Sequence, residues 1–226
     1  RRAMKTLTID VWSDVMCPWC LVGWGNLSQA LATLEGEIAA EIHWHAFELN
    51  PDMPESGEDR TAHIARKYGR TLDQSREVQG QMKAAADRAG VSLDYEGPDP
   101  APPAMMWNTL AAHKLLAWTG ETHGGERQTA LKLALLRAHF NHRRRVGEAG
   151  VLLDVAEETG LDRAAVATAL ADLRWTEMVR AEERMAWDMN VTGVPAMLVE
   201  RKFMIPGAQA PEVYVDALRR VAEKVE

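Results

Sequence analysis

The chain reads as an α/β protein: a central mixed sheet with flanking helices, interrupted by an inserted all-helical subdomain. Three observations predict this. The N-terminal segment runs strand, helix, strand; the C-terminal segment runs strand, strand, helix; and everything between repeats apolar residues at helical spacing. The two ends can then share one sheet, residues 1–52 with 190–226, leaving residues 53–189 as the insert. At 226 residues and 46% hydrophobic content the chain can bury such a core without covalent help.

Each element has a local reason. Thr6 to Trp12 alternates with β-branched residues and predicts a strand. Ser13 to Met16 form a turn, and a helix starts near Cys17 or Pro18, where a missing proline N–H costs nothing, and ends at Gly36. Ile38 to Glu48 predicts a second strand, with Ile42, Trp44 and Ala46 on one face and His43, His45 and Phe47 on the other. The insert should hold helices over Thr61–Tyr68, Leu72–Ala89, Ala104–Thr119, Gly125–His142, Glu148–Glu158, Arg163–Ala171 and Trp175–Met189. Thr71 and Asp162 suit N-caps, Gly90 and Gly160 suit C-terminal caps, and the proline-rich 97–103 segment suits a loop. Ala196–Glu200 and Lys202–Ile205 predict two strands about a tight turn at Glu200-Arg201. Pro211 to Glu226 predicts a closing amphipathic helix.

Composition narrows the function. With 26 basic against 33 acidic residues, a net charge of −7, the chain carries no electrostatic footprint for nucleic acid or an anionic membrane. The run His142-Arg143-Arg144-Arg145 reads as a solvated loop, and no apolar stretch is long enough to span a bilayer. Arg1-Arg2-Ala3 precedes Met4; a start at Met4, with no leader-like apolar run before the first strand, predicts a cytoplasmic protein.

The chemistry concentrates in Cys17-Pro18-Trp19-Cys20, which contains the chain's 2 cysteines. A bridge between them closes almost no loop, so stability cannot explain it, whereas small, strained rings are redox-labile. The attacking species is a thiolate, and a helix N-terminus favours it through unpaired N–H groups and the macrodipole. Cys17, nearest that end and expected to be the more exposed, is the candidate nucleophile; Cys20, one turn in, is the candidate resolver. Pro18 and Trp19 tune the pair. The rival reading, half a zinc site, lacks two ligands: no cysteine remains, and among the 7 histidines the close pair His139 and His142 is distant in sequence and flanked by arginine. Metal ligands are therefore not expected. Gly193-Val194-Pro195 interrupts the pattern just before a strand. With a strand–helix–strand dithiol unit upstream, it predicts a cis Val194–Pro195 bond facing the sulfurs, with a backbone edge free to pair with an extended substrate.

These residues resemble the DsbA-type thioredoxin-fold family, and more closely its FrnE-like cytoplasmic branch. The resemblance is carried by Ser13-Asp14-x-x-Cys17-Pro18-Trp19-Cys20, Phe47-Glu48-Leu49-Asn50-Pro51, Thr192-Gly193-Val194-Pro195 and Gly207-Ala208-Gln209. In the helical region Ala65-Arg66-Lys67-Tyr68-Gly69 and Asn108-Thr109-x-x-Ala112-His113 extend it. It implies a thioredoxin fold interrupted by a helical domain, a Cys17/Cys20 redox pair, a cis Pro195 beside it, and Gln209 near the site. The loop from Glu96 to Met106 and the Arg143-Arg144-Arg145 segment depart from that branch, and both are candidates to border the substrate groove. Relatives in the superfamily include glutathione-dependent 2-hydroxychromene-2-carboxylate isomerases and kappa-class glutathione transferases, which carry a serine at the position of Cys17. The function expected is thiol–disulfide exchange with a protein or small-molecule substrate and a separate recycling partner. No cofactor is bound beyond the disulfide itself, although glutathione could serve as co-substrate. The alternatives are a glutathione-dependent isomerase or transferase, and a non-catalytic chaperone-like binding protein. Oligomeric state, monomer or homodimer, stays open. Asp14 reads either as a proton shuttle or as a cap on the turn before the helix, Met16, Met105 and Met106 as core or groove lining, and His45 as a satisfied residue away from the core face. The tryptophans other than Trp19 are expected in the core.

Overall fold

The computed structural model describes residues 2–225; Arg1, and Glu226 at the expected end of the last helix, lie outside the described residues. Strand β1 (Lys5–Ser13) is central. It pairs in parallel with β2 (Ile38–Ala46), from Lys5 opposite Ile38 to Ser13 opposite Ala46, and antiparallel with β5 (Ala196–Val199). A parallel neighbour requires a crossover, and helix α1 (Pro18–Thr33) supplies it. The hairpin partner β6 (Phe203–Pro206) completes the order β2-β1-β5-β6. Glu200 and Arg201 both take left-handed φ, 52° and 56°, the twist that suits a two-residue hairpin turn. Helix α9 (Pro211–Lys224) and α1 bury Tyr214, Leu218, Leu27 and Leu34 with Leu7, Ile9 and Val11 of β1.

The insert contains β3 (Glu58–Asp59), α2 (Arg60–Tyr68), α3 (Leu72–Ala89), β4 (Met105–Met106), α4 (Leu110–His123), α5 (Gly125–Phe140), α6 (Ala149–Glu158), α7 (Arg163–Ala171) and α8 (Leu173–Asp188). Thr71 forms a capping box with Gln74, Asp162 caps α7, and Gly90 ends α3 in the left-handed conformation. The helix expected from Ala104 begins only at Leu110, because Met105 and Met106 pair with Asp59 and Glu58 in a two-stranded ribbon that the helical periodicity did not disclose. Trp187, expected in the core, is 77% exposed on the outer face of α8.

The insert's core and the sheet's core are separate clusters, and the turn before α1 joins them: Val15 and Met16 belong to the helical core, while α1 packs on the sheet. The outer edge of β2 is closed by side chains of the insert. Gln128 accepts from Trp44 N at 2.9 Å and donates to Trp44 O at 3.0 Å, and Glu182 accepts from Ala46 N at 2.7 Å. Side chains thus replace a neighbouring strand along an edge that would otherwise present unpaired groups.

Candidate active site

Cys17 is the N-cap residue of α1 and Pro18 its first helical residue. The Asp14 carbonyl accepts from Cys17 N at 3.0 Å and the Cys17 carbonyl from Cys20 N at 3.2 Å, which winds the tetrad into the first turn. Both thiols are free, and both are buried: Cys17 is 4% exposed and Cys20 1%, so the expected difference in exposure is slight. Trp19, at 37%, stands out of the protein between them. The Cys17 thiol donates to the Val194 carbonyl at 3.6 Å. The Val194–Pro195 peptide is cis, and Pro195 packs on α1 so closely that a Cβ at Gly23 would meet its ring at 3.0 Å. Gln209 sits on the turn after β6. Its side chain donates to Pro206 O, and its carbonyl accepts from Asn26 of α1 at 2.9 Å, so it braces this loop rather than reaching toward the sulfurs.

The two thiols are electrostatically unequal. A hydrogen bond from the Cys20 thiol, helped by the backbone amides of Cys20 and Trp19, draws Cys17 below an ordinary thiol against the opposing effect of burial. Burial, and then the neighbouring Cys17 sulfur, push Cys20 well up. One sulfur is therefore poised to ionise and the other to hold its proton.

Beneath the pair lies a polar cluster. Asp14 is fully buried; its Oδ2 accepts from Leu49 N at 2.8 Å, and its Oδ1 lies 3.3 Å from Nε2 of His113 on α4. The carboxylate therefore ties the turn to the loop after β2 and to the insert, while the main chain of Asp14 closes the turn. Burial alone would raise its pKa, but His113 and the Leu49 amide hold it below the usual range. Lys132 of α5 is 0% exposed, and its ammonium has no hydrogen-bond partner among the described residues. Its charge reaches Cys20, Asp14 and Cys17, and it lies 5.4 Å from the Trp44 ring. Lys132 was not singled out by sequence reasoning. The available signal was a lysine on the apolar stripe Gln128, Leu131, Lys132, Leu135, Leu136 and His139, all buried. His45 is satisfied, as expected: Asp10 lies 2.6 Å from its Nε2, Glu182 3.3 Å from its Nδ1, and Trp12 stacks on its ring.

Comparison with known proteins places this geometry in a family. The model of the DSBA-like thioredoxin domain matches residues 8–219, and the chain belongs to that family. It is 26% identical over 214 residues to the protein YwbO of Bacillus subtilis (strain 168), covering 94% of this chain and 96% of that one. It superposes on the crystal structure of a probable DsbA oxidoreductase from Streptomyces coelicolor with a TM-score of 0.81 at 29% identity, covering 97% of this chain and 92% of the other. The cytosolic disulfide reductase DsbM from Pseudomonas aeruginosa, also solved with GSH, shares the fold at a TM-score of 0.62 and 16% identity, over 96% of this chain and 100% of its own.

Proposed function

We propose that this member of the DSBA-like thioredoxin domain family is a thiol–disulfide oxidoreductase working through Cys17 and Cys20. The observation that carries the reading is the unequal pair at one helix N-terminus, with Cys17 drawn toward the thiolate and Cys20 held as the thiol. In the reducing direction the Cys17 thiolate attacks one sulfur of a substrate disulfide. A Cys17–substrate bond forms, the substrate S–S bond breaks, and the departing thiolate takes a proton from water. Cys20 then loses its proton and attacks the Cys17 sulfur, which releases the second substrate thiolate. Two electrons pass from the dithiol to the substrate, leaving a Cys17–Cys20 disulfide; the reverse sequence oxidises a substrate dithiol. Asp14, buried beneath the pair, is the candidate relay for the Cys20 proton, although its lowered pKa makes it a weak base for that task. The Val194 carbonyl beside Cys17 offers an acceptor to an extended substrate backbone, with Pro195 behind it and Trp19 and Pro18 at the rim. Gln209 acts on the site indirectly, through the loop it braces.

The substrate is a protein or small-molecule thiol or disulfide, and the group that cycles is the chain's own disulfide. Glutathione as co-substrate, and a cytoplasmic site of action, are supported by the likeness to a cytosolic reductase solved with GSH. No helix among the described residues is long and apolar enough to cross a membrane.

The test is a redox titration of the Cys17/Cys20 pair together with turnover of a model disulfide. A single two-electron couple is expected, C17A should abolish exchange, and C20A should accumulate the Cys17 mixed disulfide. Absence of a two-electron couple would sink the reading. Full activity of C17S with glutathione would instead indicate that bound glutathione supplies the sulfur, the isomerase or transferase alternative. An unchanged cellular role in C17A would indicate a binding protein.

A further inference from the structure

We propose that a recess on the insert, walled by the residue after β3, the segment around β4 and the turn after α5, binds a small oxyanion, a carboxylate or phosphate group, through Arg60, Arg143 and His139. The recess opens to solvent, has a cavity volume of about 30 Å³, and has Leu93, Trp107 and Phe140 among its apolar walls. Its position lies beyond the dithiol chemistry, although Trp107 N donates to the sulfur of Met16, the residue before Cys17.

Two guanidinium groups line one recess, and Asp59, which caps α2, is the one carboxylate whose charge bears on Arg60 among the described residues. The acids nearby are already engaged: Glu58 by Arg66 and His63, Asp59 by the N-terminus of α2, Asp94 by Lys83, and Glu96 by Arg137. Arg60 is partly desolvated, and burial together with the like charge of Arg143 lowers its pKa, with only Asp59 opposing. Arg143 is directed into this site by its surroundings. It donates to Pro102 O at 2.7 Å, lies over the Tyr95 ring at 5.2 Å, and adopts a left-handed φ of 49°. Its neighbours in the basic run behave differently, Arg144 pairing with Glu158 and Arg145 with Glu148. The third group is His139, buried, with Nδ1 lacking any hydrogen-bond partner among the described residues. An oxyanion would supply what is missing at all three: forked hydrogen bonds to the guanidiniums and an acceptor for the imidazole N–H. The fit is to a compact anionic group, because the space between the guanidiniums and the imidazole is small.

The measurement is calorimetric titration of the full protein with inorganic phosphate and, separately, with succinate, at constant ionic strength, followed by imidazole NMR of His139. Saturable binding of either anion with movement of the His139 ring signals is expected. R60K, which keeps the charge but loses the fork, and R143Q should each weaken it at least tenfold, while R144Q should leave it unchanged. Phosphate preference assigns a phosphorylated ligand and succinate preference a carboxylate. Failure of both anions to saturate, or binding that survives R60K and R143Q, overturns the proposal.

Discussion

Lys132 is an ammonium group removed from water without a hydrogen-bond acceptor among the described residues, and such a placement is costly unless nearby charge compensates it. The carboxylates of Asp14 and Glu182, and Cys17 when ionised, compensate it, and burial still draws its pKa down. The site thus spends stability on a cation directed at the dithiol. Lys132→Met keeps the bulk and removes the charge. It should raise the pKa of the thiols, Cys20 above all, read from thiolate absorbance against pH. A less stable protein with an unchanged thiol would show that Lys132 is only structural.

At the scale of elements, His45 clips three of them together: it stands on β2, its Nε2 meets Asp10 of β1, and its Nδ1 meets Glu182 of α8. Burial opposes its charge, but the two carboxylates outweigh it and raise its pKa to about 9. A histidine raised in the folded state contributes fully below its unfolded value of roughly 6.5 and loses that contribution as pH climbs through the folded value. Stability should therefore fall between about pH 6.5 and pH 9, by up to about 3 kcal/mol, and H45Q should remove that slope in denaturant titrations. A flat profile in the parent protein would contradict the clip. α5 is the other joining element. Its buried stripe meets the sheet edge through Gln128, the dithiol through Lys132 and the recess through His139, so one helix face serves three sites.

For the molecule as a whole, the seam between sheet and insert decides whether it unfolds as one body. Gln128 is 4% exposed and satisfies Trp44 N, Trp44 O and Leu116 O together. Gln128→Leu leaves these groups buried without partners and should cost about 2–4 kcal/mol, measured by chemical denaturation. It also uncovers an edge strand, so self-association should rise with concentration. A variant as stable as the parent would mean that water or movement of α5 replaces the amide. The turn preceding α1 ties the two cores together: Val15 and Met16 are anchored in the insert's core while α1 rests on the sheet.

Strand alternation, helix periodicity, the caps at Thr71, Asp162 and Gly90, and the Cys17–Cys20 tetrad are all written into neighbouring residues, and neighbouring residues suffice to read them. The β3–β4 ribbon escaped because two-residue strands have no period, and the helix expected at Ala104 shortened because Met105 and Met106 found a distant partner. Trp187 reads as core from its type alone, yet it faces out because α8 uses its other face against the sheet. The α/β class, the interrupted order of elements and a dithiol at a helix start are likewise legible from the chain alone. Folding in three dimensions sets what stands under that dithiol, His113 against Asp14 and a Lys132 without a hydrogen-bond partner among the described residues, and elsewhere on the insert it brings two arginines beside His139. A polar residue on an apolar helix stripe states that something polar is buried. Which groups face it depends on the packing of segments far apart in the chain, where long-range charge and desolvation act and no local pattern records them.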